Sequence, residues 1–407
     1  MTDPKKPIAE TPPLEFQLLL VCARTRLNGT LAAQLSALAA AGPDWETVLK
    51  GARHHGVMPL LHRHLSRLGA PLVPASVLTD LSSYARKNAV HNLALSHALL
   101  RILETLKQEG IEAVPYKGPV LSGGAYGDVS LRSFKDLDII VRPQDFERAA
   151  TTLQGFGYAL SDRNPDGHFH ESFAHAETGI VVELHHDVIQ RRYSPIALEL
   201  SALWRNLTPS TLLGQPVATF RPEDMLLLLC LHGSNHAWQG LTWICDVSEF
   251  ISAHPQLDWE LVLQKAAQAG ISTIVLLGLG LAHTLLGSPL PEKIKQVLEA
   301  DPKLPKLTRQ ITTRMYRRRE PLREAVLTYQ LQLAMRPARL QAPFYLKFIT
   351  FILRPNAQDR AAAQLPTRWR FGYYLVRPLR LVRRYLFPQL WTVLEKGRAR
   401  TGVLDRD

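Results

Sequence analysis

Pro115-Tyr116-Lys117-Gly118 and, after a gap, Arg132-Ser133-Phe134-Lys135-Asp136-Leu137-Asp138-Ile139-Ile140-Val141 decide how this chain folds. The apolar run Ile111 to Tyr116 reads as a strand ending in Lys117-Gly118-Pro119, a sharp turn with Pro119 suited to the first position of a helix. A helix opened this way turns backbone N–H groups toward an anion, so a phosphate fits there. Leu137 to Val141 reads as a second strand, with Asp136 and Asp138 at its leading end. Positions i and i+2 of a strand share a face, so the two carboxylates converge. Like charges a few ångström apart repel, and a hard divalent cation is the natural counter-charge. Asp-x-Asp by itself is a common solvated strand end; the phosphate-ready turn beside it is what points to nucleoside triphosphate chemistry.

A third carboxylate follows from the same alternation. Ile180-Val181-Val182-Glu183-Leu184-His185-His186-Asp187 comes after the turn Glu177-Thr178-Gly179, and period two puts Glu183, His185 and Asp187 on one strand face. Beside the Asp136 and Asp138 strand in a sheet, Glu183 reaches the same cation.

The order apolar strand, Lys117-Gly118, Tyr126, Arg132, Asp136-x-Asp138, then Val182-Glu183-Leu184-His185, resembles the polymerase-beta-type nucleotidyltransferase superfamily. More narrowly, it resembles a bacterial family of largely uncharacterised nucleotidyltransferases with a Lys-Gly turn. One departure is plain: where the superfamily has Gly-Ser or Gly-Gly, this chain has Gly118-Pro119, and the serine hydroxyl that would touch phosphate is missing. The resemblance implies that Asp136, Asp138 and Glu183 bind Mg²⁺ or Mn²⁺, with Glu183 taking the acceptor's proton or completing a second metal site. It implies transfer of a nucleoside monophosphate from a triphosphate to an acceptor hydroxyl, releasing pyrophosphate. Lys117, Gly118 and Arg132 are expected at the phosphates, although Lys117 also suits a carboxylate cap and Arg132 a structural ion pair. Tyr126, His185, His236 and Asp246 are expected on the substrate side.

The expected fold is α+β: a small mixed sheet of four or five strands flanked by N- and C-terminal helical domains. Helices are read over Leu14 to Ala41, Asp44 to His54, Val57 to Leu68 and Pro74 to Gln108, with His54 and His55 at the surface. After the two strands, Pro143 opens a helix ending before Gly155, and Tyr158 to Ser161 and His168 to Ala176 read as strands. His168, His170 and His175 match no recognised zinc spacing and read as polar strand positions or substrate contacts. From Arg192 the pattern is read as helical, with Pro222 opening a helix that carries His232 and His236 on one face, followed by Trp238, Trp243 and Asp246. The expected division is a disordered lead-in (1–13), a helical bundle (14–110), the α/β core (111–215), a helical domain (216–300) and a basic helical region (301–407).

At 407 residues and 46% hydrophobic content the chain has material for more than one core. Three scattered cysteines exclude a disulfide framework, so a reducing, cytoplasmic setting is expected, with peripheral membrane contact as an addition. Met1 to Pro7 carries no signal-peptide core. The apolar runs Ile271 to Gly287 and Phe344 to Leu353 are read as buried helices, not spans. The net charge of +12 is concentrated at one end: residues 301–407 hold 23 Lys and Arg against 7 Asp and Glu, leaving 25 against 29 before them. There Arg317-Arg318-Arg319 and Phe371 to Phe387 interleave basic with aromatic and leucine side chains, which suits an anionic membrane surface or nucleic acid, or simply a solvated face. The alternatives to a nucleotidyltransferase of unknown acceptor (small molecule, protein or RNA) are a silent nucleotide-binding scaffold, an RNA-modifying transferase toxin and an enzyme of surface-sugar or peptide chemistry resting on a membrane.

Overall fold

The computed structural model describes residues 11–69, 71–162, 169–188, 200–317, 321–336, 341–342, 345–346, 355, 359–360, 363 and 365–386. Contacts divide the chain near Arg317 into two compact units, taken separately below. The fold is α+β, with a small mixed sheet among helices.

Helices α1 (Leu14–Cys22), α2 (Gly29–Ala40), α3 (Trp45–His55), α4 (Met58–Leu68) and α5 (Ala75–Gln108) precede the sheet. The one helix read over Leu14 to Ala41 is therefore two. Asn28 caps α2 by accepting the Leu31 N–H, and in the break Arg24 donates to the carbonyls of Leu20, Val21 and Leu286, a long-range anchor that helical periodicity does not reveal. His55, expected at the surface, is buried instead, because α3 packs through Val48, Leu49, Ala52 and His55, with the His55 ring 5.6 Å from that of Phe16.

The core follows in the order β1 (Ala113–Pro115), α6 (Gly118–Tyr126), β2 (Asp136–Val141), α7 (Phe146–Gly155), β3 (Tyr158–Asp162), β4 (His170–His175) and β5 (Val181–His185). Its five strands lie in the order β1-β2-β5-β4-β3; β2 and β5 are parallel and the other neighbours antiparallel. Leu137, Ile139 and Val141 of β2 and Val182 and Leu184 of β5 belong to one apolar cluster with Leu95, Leu99, Ile102 and Leu106 of α5 and Ala149 and Leu153 of α7. The alternate residues Asp136, Asp138, Glu183 and His185 consequently face the other side. Burial of each large apolar side chain stabilises by roughly 1.5–3 kcal/mol, and a one-residue slip would put the carboxylates into this layer, so the register is strongly set.

Beyond β5 the structure departs from the helical expectation. Among the described residues, only the short α8 (Leu200–Trp204) precedes a hairpin of β6 (Leu207–Leu212) and β7 (Gln215–Phe220). Leu213 and Gly214 both take positive φ, the two-residue turn whose twist matches that of paired strands. Pro209 and Pro216 within the hairpin masked its strand character.

Helices α9 (Pro222–Asn235), α10 (Leu241–Ala253), α11 (Trp259–Gln268), α12 (Ser272–Leu286), α13 (Glu292–Ala300) and α14 (Lys303–Tyr316) complete the first unit. The apolar run at Ile271 is α12, largely buried within it, and no helix among the described residues is long and apolar enough to cross a membrane. The run from Phe344 lies mostly outside the described residues, as do His168, Arg318 and Arg319.

The second unit contains α15 (Pro321–Ala334) and α16 (Tyr373–Leu386). Here the expected outward arginines are inverted. Arg377 and Arg380 are buried on Asp359, at 3.3 and 2.5 Å, whereas Trp369, Phe371, Tyr374, Leu375 and Leu379 are exposed. A buried carboxylate left unpaired is costly, and it draws in both guanidiniums.

Candidate active site

The parallel register of β2 and β5 sets Asp138 opposite Glu183 and Ile140 opposite His185. Asp138 Oδ1 accepts from Lys117 Nζ at 2.7 Å and lies 3.2 Å from His185 Nε2, which is itself 3.4 Å from Glu183 Oε2. One ligand atom each from Asp138, Glu183 and His185 falls within 4.8 Å of the others. Asp136, two residues before Asp138 on the same face, stands beside this group, half-buried.

The electrostatics separate the two aspartates. Burial would raise Asp138, but the Lys117 ammonium and the His185 hydrogen bond outweigh it and hold the carboxyl well below its usual range. Burial likewise opposes charge on Lys117 and His185; their carboxylate neighbours prevail and raise both. Glu183 is held low, first by its hydrogen bond from His185. Asp136 goes the opposite way, pushed up to about 6 by burial and then by the charges of Asp138 and Glu183.

Gly118 sits where the phosphate reading requires a turn. Its φ of +54° lies in the left-handed region that glycine enters without a Cβ penalty, and a Cβ there would stand 3.5 Å from the Asp136 carbonyl oxygen. The turn therefore passes beside the leading end of β2. It opens α6, whose first N–H groups lack intrahelical partners. Lys117, just before it, lies 4.7 Å over the Tyr116 ring and 3.5 Å from His232 Nδ1.

A second cluster ties the surrounding elements together. Arg132 donates through Nε and Nη2 to Asp246 at 2.7 and 2.9 Å, and Tyr126 donates its hydroxyl to the same carboxylate at 2.7 Å. All three are buried. From α5, Asn92 donates to the carbonyls of Val129 and Arg132, and Asn88 to that of Ser130. So the structure engages Arg132, expected at the phosphates, and Tyr126 and Asp246, expected on the substrate side, in a clamp joining α6, the loop 128–132 and α10. The bidentate arginine–carboxylate pair gives that clamp its strength.

A third group lies at the end of α9. The His236 ring is 4.8 Å from that of His232 and stacks on Trp243, with centroids 4.4 Å apart and planes 5° from parallel. Desolvation by the elements packed around their rings, and then the Lys117 charge, lower both histidines, His232 well below its ordinary value, although His236 keeps contact with solvent. His236 was expected near substrate; His232 and Trp243 were legible only as neighbours in its run, through the i, i+4 spacing and the following tryptophan. Asn92 carries no local signal, being one polar residue inside a long helix.

The donor set fits a hard divalent cation. Three carboxylates share a face, Lys117 and His185 pair closely with Asp138 and His185 with Glu183, Lys117 and Arg132 only partly offset the charge at Asp136, and the buried His185 Nδ1 has no hydrogen-bond partner among the described residues. A separate pocket of about 970 Å³, lined by residues of α12, α13 and α14 such as His283, Lys295 and Thr308, shares no residue with this site.

A family model described as an uncharacterised nucleotidyltransferase matches residues 41–287, more than half of the chain. Among solved structures the chain is similar to a lincosamide antibiotic adenylyltransferase with lincomycin bound, at 16% identity and a TM-score of 0.27 over 38% of this chain and 95% of that one. It is also similar to an antigenic nucleotidyltransferase-like protein from Paracoccidioides brasiliensis, at 18% identity and a TM-score of 0.33 over 53% of this chain and 91% of that one. No curated protein matches it.

Proposed function

Because the chain belongs to the family of uncharacterised nucleotidyltransferases, we propose that it moves a nucleoside monophosphate from a triphosphate to an acceptor hydroxyl in a metal-dependent reaction on the β2–β5 face. The observation that carries this reading is the register of Asp138 with Glu183, beside an Asp136 that burial and its two carboxylate neighbours push up to about 6 against the weaker pull of Lys117 and Arg132. Asp136, Asp138 and Glu183 would hold a divalent cation, which when bound supplies charge neutralisation at the phosphates.

The chain's own residues account for the rest. The N–H groups that open α6 bind phosphate oxygens, and Gly118 gives the backbone the turn that aims them. Lys117 keeps Asp138 ionised and brings a positive charge beside the turn where the triphosphate would sit. Glu183, held low by His185, is ionised near neutrality and accepts the acceptor's proton. The acceptor oxygen then bonds to the α-phosphorus as the bond to pyrophosphate breaks. Arg132, Asp246 and Tyr126 act at one remove, fixing α6 and therefore the turn. Of the expectations for the basic end, Arg377 and Arg380 are engaged with Asp359, which weakens their case as anion contacts.

The test is incubation with each labelled ribonucleoside triphosphate, Mg²⁺ and a lysate containing RNA, protein and metabolites, with Glu183→Gln alongside. Label transferred by the wild type and lost in the variant supports the reading and identifies the acceptor's class. Bound triphosphate with no label moved by any combination counts against transfer and favours a silent nucleotide-binding protein.

A further inference from the structure

His236 is exposed, and its imidazole stacks nearly parallel on the half-buried Trp243 indole. Stacking is one of the two favoured geometries for aromatic rings, and in a stacked pair the outer ring has one π face that its partner does not cover.

The segment that presents this ring is unusually constrained. Immediately after His236, Ala237 and Trp238 both take positive φ, 48° and 53°, a conformation that costs non-glycine residues energy and persists only where packing enforces it. Trp238 enforces it. The side chain is fully buried, and its indole occupies space that a Cβ would need at two glycines: 2.3 Å from one built on Gly233 of α9, and 3.0 Å from one on Gly278 of α12. Neither position admits a side chain while Trp238 is seated. Two glycines and two left-handed residues thus serve a turn whose exposed product is the His236 ring.

Position indicates what the ring meets. His232 is 3.5 Å from Lys117 Nζ and 4.8 Å, ring to ring, from His236. Lys117 directly precedes the Gly118 turn, so the stack is connected to the carboxylates through the phosphate side of the site. The acceptor hydroxyl must come to Glu183, whose charge also reaches His236 but acts on it less than that of Lys117 does. We infer that the outer face of His236, backed by Trp243, stacks against the base of the nucleoside triphosphate whose phosphates lie at the Gly118 turn. This rests on the nucleotidyltransferase reading of the carboxylate face. Every base has a π face, so the platform binds all four without reading their edges.

The experiment is equilibrium binding of ATP and of inorganic tripolyphosphate, each with Mg²⁺, to the full chain and to His236→Ala and His236→Phe. Loss of one base stack weakens ATP about tenfold in His236→Ala and leaves tripolyphosphate unchanged; His236→Phe restores ATP binding and turnover. Unchanged tripolyphosphate binding also establishes that the variant is folded. The platform is overturned if ATP binds His236→Ala as it does the wild type, if tripolyphosphate weakens equally, or if His236→Phe fails to rescue. Tripolyphosphate bound by the wild type as tightly as ATP overturns the platform and spares the phosphate site. A wild type that binds neither overturns both.

Discussion

The two faces of the β2–β5 pair use the same backbone and opposite chemistry. On one, Leu137, Ile139, Val182 and Leu184 meet α5 and α7, and burial alone holds them. On the other, Asp136, Asp138, Glu183 and His185 place charges where burial opposes them, and the charges persist through their partners. The first face provides the stability that lets the second be unfavourable. Within the second, Asp138 is paired with Lys117 and His185, and Asp136 is pushed up because burial and its carboxylate neighbours outweigh the pull of Lys117 and Arg132. The contrast teaches that one strand face can hold one aspartate firmly ionised and draw another, two residues away, toward its protonated form.

Variants that disturb one face and spare the other sharpen this. Asp138→Asn has the largest expected effect: transfer falls by more than about a hundredfold, the usual loss for groups one shell out from a metal being smaller. It also leaves the Lys117 ammonium buried without its carboxylate, which costs about 3–5 kcal/mol in a urea titration. Leu99→Ala on the apolar face destabilises by about 2–5 kcal/mol and leaves transfer per folded molecule unchanged, checked by urea unfolding and specific activity. A loss of specific activity there would mean that the two faces are not separable.

Asp136→Asn is smaller in size and opposite in sign. The folded pKa of about 6 lies above the ordinary 3.8, so between those values the folded protein holds a proton the unfolded chain has released. Metal-free stability therefore falls as pH rises through that window, and the full penalty stands above it. Asp136→Asn removes the penalty, stabilising the metal-free protein by about 1–2 kcal/mol at pH 7 and not at pH 3, while lowering transfer by less than Asp138→Asn does. Thermal melts in chelator across pH measure it; equal melting temperatures at pH 7 would show that Asp136 already has a counter-charge.

Much of this site is legible in the sequence because a strand's period of two is local. Asp136 with Asp138, and Glu183 with His185, share faces whatever the tertiary fold. That Asp138 lies opposite Glu183 depends on pairing between strands separated by α7, β3 and β4, which alternation does not encode. Arg132 shows the same limit: its partner Asp246 lies on a helix far along the chain, so an arginine near a phosphate turn reads as a phosphate ligand until the fold brings Asp246 to it. Arg377 and Arg380 read as surface charge because one buried Asp359 leaves no periodic trace. The β6–β7 hairpin was hidden by its prolines, and the break after α1 by apolar residues that continue the helical pattern across it.

The most direct measurement is calorimetric titration of Mn²⁺ into the protein with a non-hydrolysable triphosphate analogue, for the wild type, Asp136→Asn and Glu183→Gln. The account predicts saturable binding to the wild type that is weakened more than tenfold in each variant, in keeping with the loss of a carboxylate ligand. Binding of equal strength in all three, or none to the wild type, would contradict it.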